Sequence, residues 1–356
     1  MCNSRNPKRF DESLVRIPIE EAVGTCLGHD VTEIRPGEFK GPSFRRGHII
    51  RHQDLCHLMR LGKRHLYVLN LGPGQVHEDD AVLELASALA GPGVSFNGKP
   101  KEGKLQLQAI YSGLLKVKAE PLVEFNLIPE VMCASLHDNV PVVQCQVIAG
   151  TRAVPLIIGR EALDQALEVA RRSFPLFSVK AYVRRRARLI ITGNEIYEGL
   201  IEDKFEAIVC RKLAAYGAAL EETIILPDDA DLIAEHTRRF MALGTDLIIT
   251  TGGMSVDPDD VTRIGIGKAG ADRLYYGAAA LPGAMCMLAY KEDFPIIGLP
   301  ACGLYHPTTV FDILLPRLLA GETPDQRDLA RLSVGGLCRD CKVCRYPACS
   351  FGKGVV

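Results

Sequence analysis

The hydrophobic rhythm of the chain changes once, close to Arg188. Upstream of it, short apolar runs are broken by glycine turns in no regular order. "GPSFRRGHIIRHQDLCHLMRLG" reads as a turn, a short strand and a helix that opens near His52 and closes at Gly62. "RHLYVLNL" follows as a strand. "HEDDAVLELASALAG" is a helix, with acids in its first turn favouring the dipole and Gly91 just past its end. The runs "KLQLQAIYSGLLKVK" and "VPVVQCQVIAG" predict an α+β lobe, and the helix "REALDQALEVARR" leads into a basic link, "KAYVRRRAR".

Downstream of Arg188 strands and helices alternate. "LIITG", "LEETIIL", "TDLIITTGG", "RLYYGAA" and "FPIIGLP" read as strands. "EDKFEAIVCRKLAAYGA", "DDADLIAEHTRRFMAL" and "PTTVFDILLPRLLAG" read as amphipathic or closing helices, the last with Pro307 near its first turn. Such alternation with short joins predicts an α/β fold, a mostly parallel sheet covered by helices in three layers. The expected organisation is an N-terminal α+β region of one or two lobes (1–180), the α/β domain (181–325) and a cysteine-rich tail (326–356).

Ligands of open parallel sheets sit outside the carboxyl ends of the strands. Three loops meet that rule: "TGNE" (192–195), "TGGMSVDPDD" (251–260) and "GLPACG" (298–303). The second aims three acids, Asp257, Asp259 and Asp260, at the end of an apolar strand. One reading makes them caps of the following helix. The other gives the amides of Gly252, Gly253 and Ser255 to a phosphate and the carboxylates to Mg²⁺, which prefers one or two carboxylates plus phosphate oxygens.

Composition narrows the setting. Apolar residues make up 47%, charged residues 24%, and the formal net charge is −1. That balance fits a soluble globular protein and argues against a nucleic-acid-coating surface. No apolar run approaches the ~20 residues of a membrane helix, and "MCNSRNPKRFDES" lacks an apolar h-region, so no signal peptide is expected. Twelve cysteines without a secretory signal read as reduced thiols or metal ligands in a cytoplasm.

Taken in order, "TGNE", the acid of "IEDKF", "DLIITTGGMSVDPDD", "LPG" at 281–283 and "IGLPACG…F…LLPRLLAG" resemble the molybdopterin-binding domain of molybdopterin molybdenumtransferases, molybdopterin adenylyltransferases and the competence-damage-inducible proteins. The resemblance covers roughly residues 185 to 322. It implies a domain that binds molybdopterin, a phosphorylated pterin dithiolene, or its adenylylated or molybdenum-loaded form, with Mg²⁺, in molybdenum cofactor biosynthesis or delivery. Carried over by position, Glu195 and Asp260 match the family's acidic motif residues, and Asp257 joins them as a candidate for metal or proton work. Thr192, Gly193, Thr251, Gly252, Gly253, Ser255 and Pro300 fall on the pterin loops; Asp203, and Asp228 or Asp229, match carboxylates near the metal.

The departures bear on catalysis. The family's "PGKP" reads "PGAM" here, with Ala284 and Met285, and its "LPGNP" reads "LPACG", with Ala301 and Cys302. Loss of the lysine removes a cation that would meet a transferring anion. A transferase-like enzyme, a non-enzymatic carrier or redox adaptor for a molybdoenzyme, and a nucleotide pyrophosphatase of the competence-related type all stay open, as does a homo-oligomer.

The tail "CRDCKVCRYPACSFGKG" carries Cys338, Cys341, Cys344 and Cys349 as C-x2-C-x2-C-x4-C, close to the bacterial ferredoxin run. Four thiolates from one short segment predict a [4Fe–4S] cluster; tetrahedral Zn²⁺ is the alternative. Three further features have plainer readings. Lys180, Arg184, Arg185, Arg186 and Arg188 read as a solvated link. His48 and His52 lack a third ligand, and Arg152 offers a cation towards the pterin pocket.

Overall fold

The computed structural model describes residues 14–35, 38–69, 71, 73–254 and 260–354. The Ser255 and Asp257 assignments lie outside the described residues.

The N-terminal half holds two separate cores. The first gathers Ile19, Leu27, Ile50, Leu58 and Leu66. Around it stand an antiparallel hairpin, β1 (Val31–Arg35) and β2 (Phe39–Phe44), and helix α1 (His52–Arg60). His48 does not await a metal: its Nε2 lies 2.7 Å from Asp54 Oδ2, and Asp54 also accepts the Arg51 N–H at the start of α1.

The second core lies between two helices, α2 (Glu78–Leu89) and α3 (Arg160–Arg172), and a four-stranded antiparallel sheet. Its strands are β3 (Val94–Phe96), β4 (Lys104–Ala109), β5 (Val131–Ser135) and β6 (Val147–Ala153), in the order β3-β4-β6-β5. Alternation decides which side is covered. Leu105, Leu107 and Ala109 of β4 are buried in the core, while Lys104, Gln106 and Gln108 take the other face.

The α/β domain is a six-stranded sheet. β7 (Arg186–Thr192), β8 (Ala219–Leu226), β9 (Leu247–Thr251) and β12 (Phe294–Leu299) run parallel; β10 (Arg273–Tyr276) and β11 (Met287–Lys291) complete one edge antiparallel, in the order β8-β7-β9-β12-β11-β10. Strand β11, "MLAYK", is missing from the sequence-based elements. A short, fully buried apolar run has no periodicity by which to type it.

Helices cover both faces. α4 (Phe205–Ala214) and α7 (Val310–Leu319) bury Val209, Leu213, Phe311 and Leu315 against Leu189, Ile191 and Ile249. α5 (Ala230–Ala242) and α6 (Thr262–Lys268) bury Ile233, Phe240 and Ile266 against Ile190 and Ile248. This is the three-layer, mostly parallel architecture expected.

The tail is no loose appendage. Helix α8 (Gln326–Arg331) and the chain beyond it put Leu329, Leu332 and Phe351 into the same core as α7. Leu281 N–H donates to Gly336 O (2.7 Å) and Cys338 N–H to Leu281 O (2.8 Å), so the tail is pinned to the "LPG" loop.

The basic stretch is not a solvated link either. The Arg184 guanidinium donates to Leu318, Glu322 and Asp293 carbonyls, Arg186 pairs with Asp246, and Arg188 pairs with Glu221. Lys116 and Lys180 reach Glu322 from the preceding lobe, at 2.8 and 3.0 Å. Burial would raise the Glu322 carboxyl, but Lys116 and Arg317 outweigh it and hold the group at about 2. Among the described residues no helix is long and apolar enough to cross a membrane.

Candidate functional site

Register builds the rim of the α/β domain. Ile191 of β7 is opposite Thr251 of β9, and Thr251 is opposite Leu299 of β12. The three loops that follow therefore leave the sheet at one level. Hydroxyls lock two of them together: Thr192 donates to Thr251 O (3.1 Å), lies 2.9 Å from the Thr262 hydroxyl, and Thr262 donates to Gly252 O (3.2 Å).

The glycines are demanded by this lock. Gly252 has φ +80°, and a Cβ there would stand 2.0 Å from Thr192 O; Gly253 has φ +53°, and its Cβ would stand 2.4 Å from the Thr262 hydroxyl. Gly193, at φ 141°, turns the first loop, and Asn194 and Asp228 exchange N–H···O bonds of 3.0 and 3.1 Å that join it to the loop after β8. Loop-to-loop contact fixes these positions before any ligand arrives.

The carboxylates divide by role. Glu195 is exposed, with its carboxylate against Gly193, and Asp260 is half-buried at the end of the acidic loop. Asp203 accepts from Phe205 and Glu206 N–H at 2.9 and 3.0 Å, and Asp229 accepts from Asp231 and Leu232 N–H. Asp229 is thereby the N-cap of α5, and Asp203 ties down the first amides of α4 from the residue before its cap; the backbone bonds lower the Asp229 pKa.

The third loop brings Pro300, buried at the start of a short 3₁₀ turn (Ala301–Leu304), and Cys302, whose thiol is raised by burial although the Gly283 backbone bonds to it. That contact sets the "PGAM" loop beside "LPACG".

Two further features stand out, of which Thr250 and Arg263 escaped the sequence reading. Thr250 and Thr251 are fully buried, and neither hydroxyl has a hydrogen-bond partner among the described residues. Buried polar groups are nearly always paired, so an orphan hydroxyl at a strand's carboxyl end is a candidate contact for a water or a ligand atom. Arg263, in the first turn of α6, stacks 4.1 Å from the centroid of Tyr276, and Tyr276 donates to Met254 O in the acidic loop. Thr250 was hidden inside an apolar run, Thr251 falls on a loop the resemblance already marks, and the arginine had no motif around it.

The tail forms a second candidate centre. Cys338, Cys341, Cys344 and Cys349 all line one cavity of about 60 Å³, together with His306 and Thr308 of the chain leaving the third rim loop. The Thr308 hydroxyl lies 3.2 Å from Cys344 Sγ. Tyr346 anchors the segment by donating to Asp312 O. Among the described residues no three His, Cys, Asp or Glu side chains converge on one ion.

Fold and rim define an open α/β domain with three loops gathered at the carboxyl ends of its parallel strands. Residues 188–320 match the family described as "Probable molybdopterin binding domain". Residues 16–70 match a family described as a domain of unknown function. A protein of Archaeoglobus fulgidus is 37% identical over 81 residues, 23% of this chain and 35% of its own length. A CinA-like protein of Thermosipho melanesiensis is 33% identical over 92 residues, 26% of this chain and 23% of its own length. The chain thus spans about a third or less of these curated relatives. Among solved structures, the molybdopterin biosynthesis enzyme MoaB of Thermus thermophilus aligns with 39% of this chain and 98% of its own, at 20% identity and a TM-score of 0.34.

Proposed function

We propose that the rim binds molybdopterin, or its adenylylated or molybdenum-loaded form, as a step of molybdenum cofactor biosynthesis or delivery. The family of residues 188–320 supports the ligand class. The orphan Thr251 hydroxyl carries the placement, because it ends a buried strand between the Gly252 loop and the "LPACG" loop. Thr192, Gly193, Gly252, Gly253 and Pro300 shape the floor; Ser255 belongs to the same loop in sequence.

Mg²⁺ needs only one or two protein carboxylates when phosphate supplies the rest, so the absence of a three-ligand cluster is compatible with it. When bound, the ion would neutralise phosphate charge. Asp260 and Glu195 are the carboxylates placed to hold it or to move a proton, with Asp257 in the same loop; Asp203 keeps its capping bonds. Without the family's lysine, binding and delivery are favoured over turnover, and Arg263 is the nearest cation in sequence to the acidic loop. Replacing Asp260 by alanine should abolish Mg²⁺-dependent pterin binding with the circular dichroism unchanged. Unaltered binding would remove Asp260 from the site.

For the tail we keep the [4Fe–4S] reading, on its C-x2-C-x2-C-x4-C spacing, with Zn²⁺ as the alternative. All four cysteines line one cavity, and among the described residues no three metal-ligating side chains converge there, so either metal would have to draw the thiolates together. A cluster bound there would supply one-electron redox capacity. The Thr308 hydroxyl would donate to the Cys344 thiolate, and the Leu281–Cys338 bond holds the tail on the rim loop. This reading places the protein in a reducing cytoplasm with a molybdoenzyme as partner. Anaerobic purification should yield iron and sulfide at a constant ratio to protein; stoichiometric zinc without iron would refute the cluster.

A further inference from the structure

We infer a second ligand site, remote in construction from the pterin rim: an anion-binding cleft in the N-terminal half that takes a nucleoside polyphosphate. The β1–β2 hairpin stands over the face of the four-stranded sheet opposite α2 and α3, leaving an open cleft of about 940 Å³. That volume is at the upper end of the range that small-molecule sites occupy. Its walls come from the domain of unknown function on one side and the second lobe on the other.

Charge chooses the ligand. Lys40 projects from the hairpin; Lys99, Lys101 and Lys104 come from the β3–β4 connection and the start of β4; Arg152 comes from β6. Against these five cations the lining holds two carboxylates, Asp30 and Glu102. Asp30 already accepts the Arg46 backbone N–H at 2.7 Å. None of the four lysines forms an ion pair among the described residues, in a molecule where Arg46, Arg160, Arg186, Arg188 and Lys116 all do. The Arg152 Nε is buried and has no hydrogen-bond partner among the described residues. A buried guanidinium N–H left unmade is costly, and a phosphate oxygen satisfies it with the geometry arginine prefers.

The remaining lining suits an organic body rather than a bare ion. Gln106 and Gln108 of β4 offer amides to a heterocycle's polar edge. Ile34 and Met132, 62% and 45% exposed, offer apolar surface from opposite walls. A net charge of −1 and basic residues confined to a single cleft disfavour a polynucleotide, which needs a continuous basic track. Arg152 thus serves this cleft and not the pterin pocket towards which its sequence context pointed.

The test is calorimetric titration of the full chain with ATP in EDTA, where the magnesium-dependent rim is silent. ATP should bind at one site, more weakly at high salt. The double variant Lys101→Glu/Lys104→Glu, altered only at exposed positions, should lose affinity about tenfold or more, since two attractive charges become repulsive. Asp260→Ala should bind ATP as the parent does. Three results would overturn the inference: no ATP binding, equal affinity in the double variant, or tighter binding of a single-stranded oligonucleotide than of ATP. Loss of ATP binding in Asp260→Ala would overturn it too, by moving the site to the rim.

Discussion

The rim of the α/β domain and the cleft of the N-terminal half are suited to the same chemical group and made from opposite materials. The rim presents backbone turns and threonine hydroxyls, set by strand register and locked by short bonds between Thr192, Thr262 and Gly252. The cleft presents lysine and arginine heads on an open sheet face, with few bonds among them. A backbone site is fixed in shape and intolerant of change. A side-chain site is tolerant in shape and governed by charge and salt. On the proposed reading, shape and a bridging cation would stand in at the rim for the fixed positive charge of the lysine absent from "PGAM".

The largest break in that contrast should come from Gly252→Val. The positive φ and the 2.0 Å approach to Thr192 O leave no room for a side chain. The variant should lose about 3–5 kcal/mol of stability, read as a fall in the unfolding midpoint of the domain. A change as drastic at Lys104 should leave the stability within about 0.5 kcal/mol of the parent's, because that position is exposed.

Beside the cleft, Glu78 is buried, and burial first and the charge of Asp79 second push its carboxyl up to about 7, against the partial relief of Arg152. The folded chain then holds a proton that the unfolded chain releases at the ordinary 4.5. Stability is full below about 4.5 and falls as pH rises through about 7, by on the order of 3 kcal/mol, then stays level. In Glu78→Gln that slope should vanish from the stability-versus-pH curve. A persistent slope would mean that another group titrates there.

The domain was legible in the sequence because apolar strands and amphipathic helices alternate in it with short joins. Its rim was legible because TGNE, TGGMSVDPDD and GLPACG each follow an apolar strand. What stayed hidden has specific causes. Gly252 and Gly253 look from sequence like residues kept bare for a phosphate, and the structure adds a second reason for glycine: Thr192 and Thr262 crowd the side where a Cβ would stand. Asp203, matched by position to a carboxylate near the metal, also accepts two amide N–H bonds at the start of α4, which nothing in its sequence context announced. Leu329 and Phe351 are single apolar residues among polar ones, so nothing announced that the tail shares the core of α7. The cleft was invisible because its cations are scattered from Lys40 to Arg152 and meet only through sheet pairing and the hairpin.

The most direct test of the pterin site is the affinity of Thr251→Val for molybdopterin, measured beside its unfolding midpoint. Valine keeps the shape of a side chain whose hydroxyl bonds to nothing among the described residues, so folding should be unharmed or slightly improved. Pterin affinity should drop about five- to tenfold, the worth of one hydrogen bond in a dry site. A variant as stable as the parent that binds pterin equally well would show that the orphan hydroxyl is no ligand group, and the placement of the site would fall.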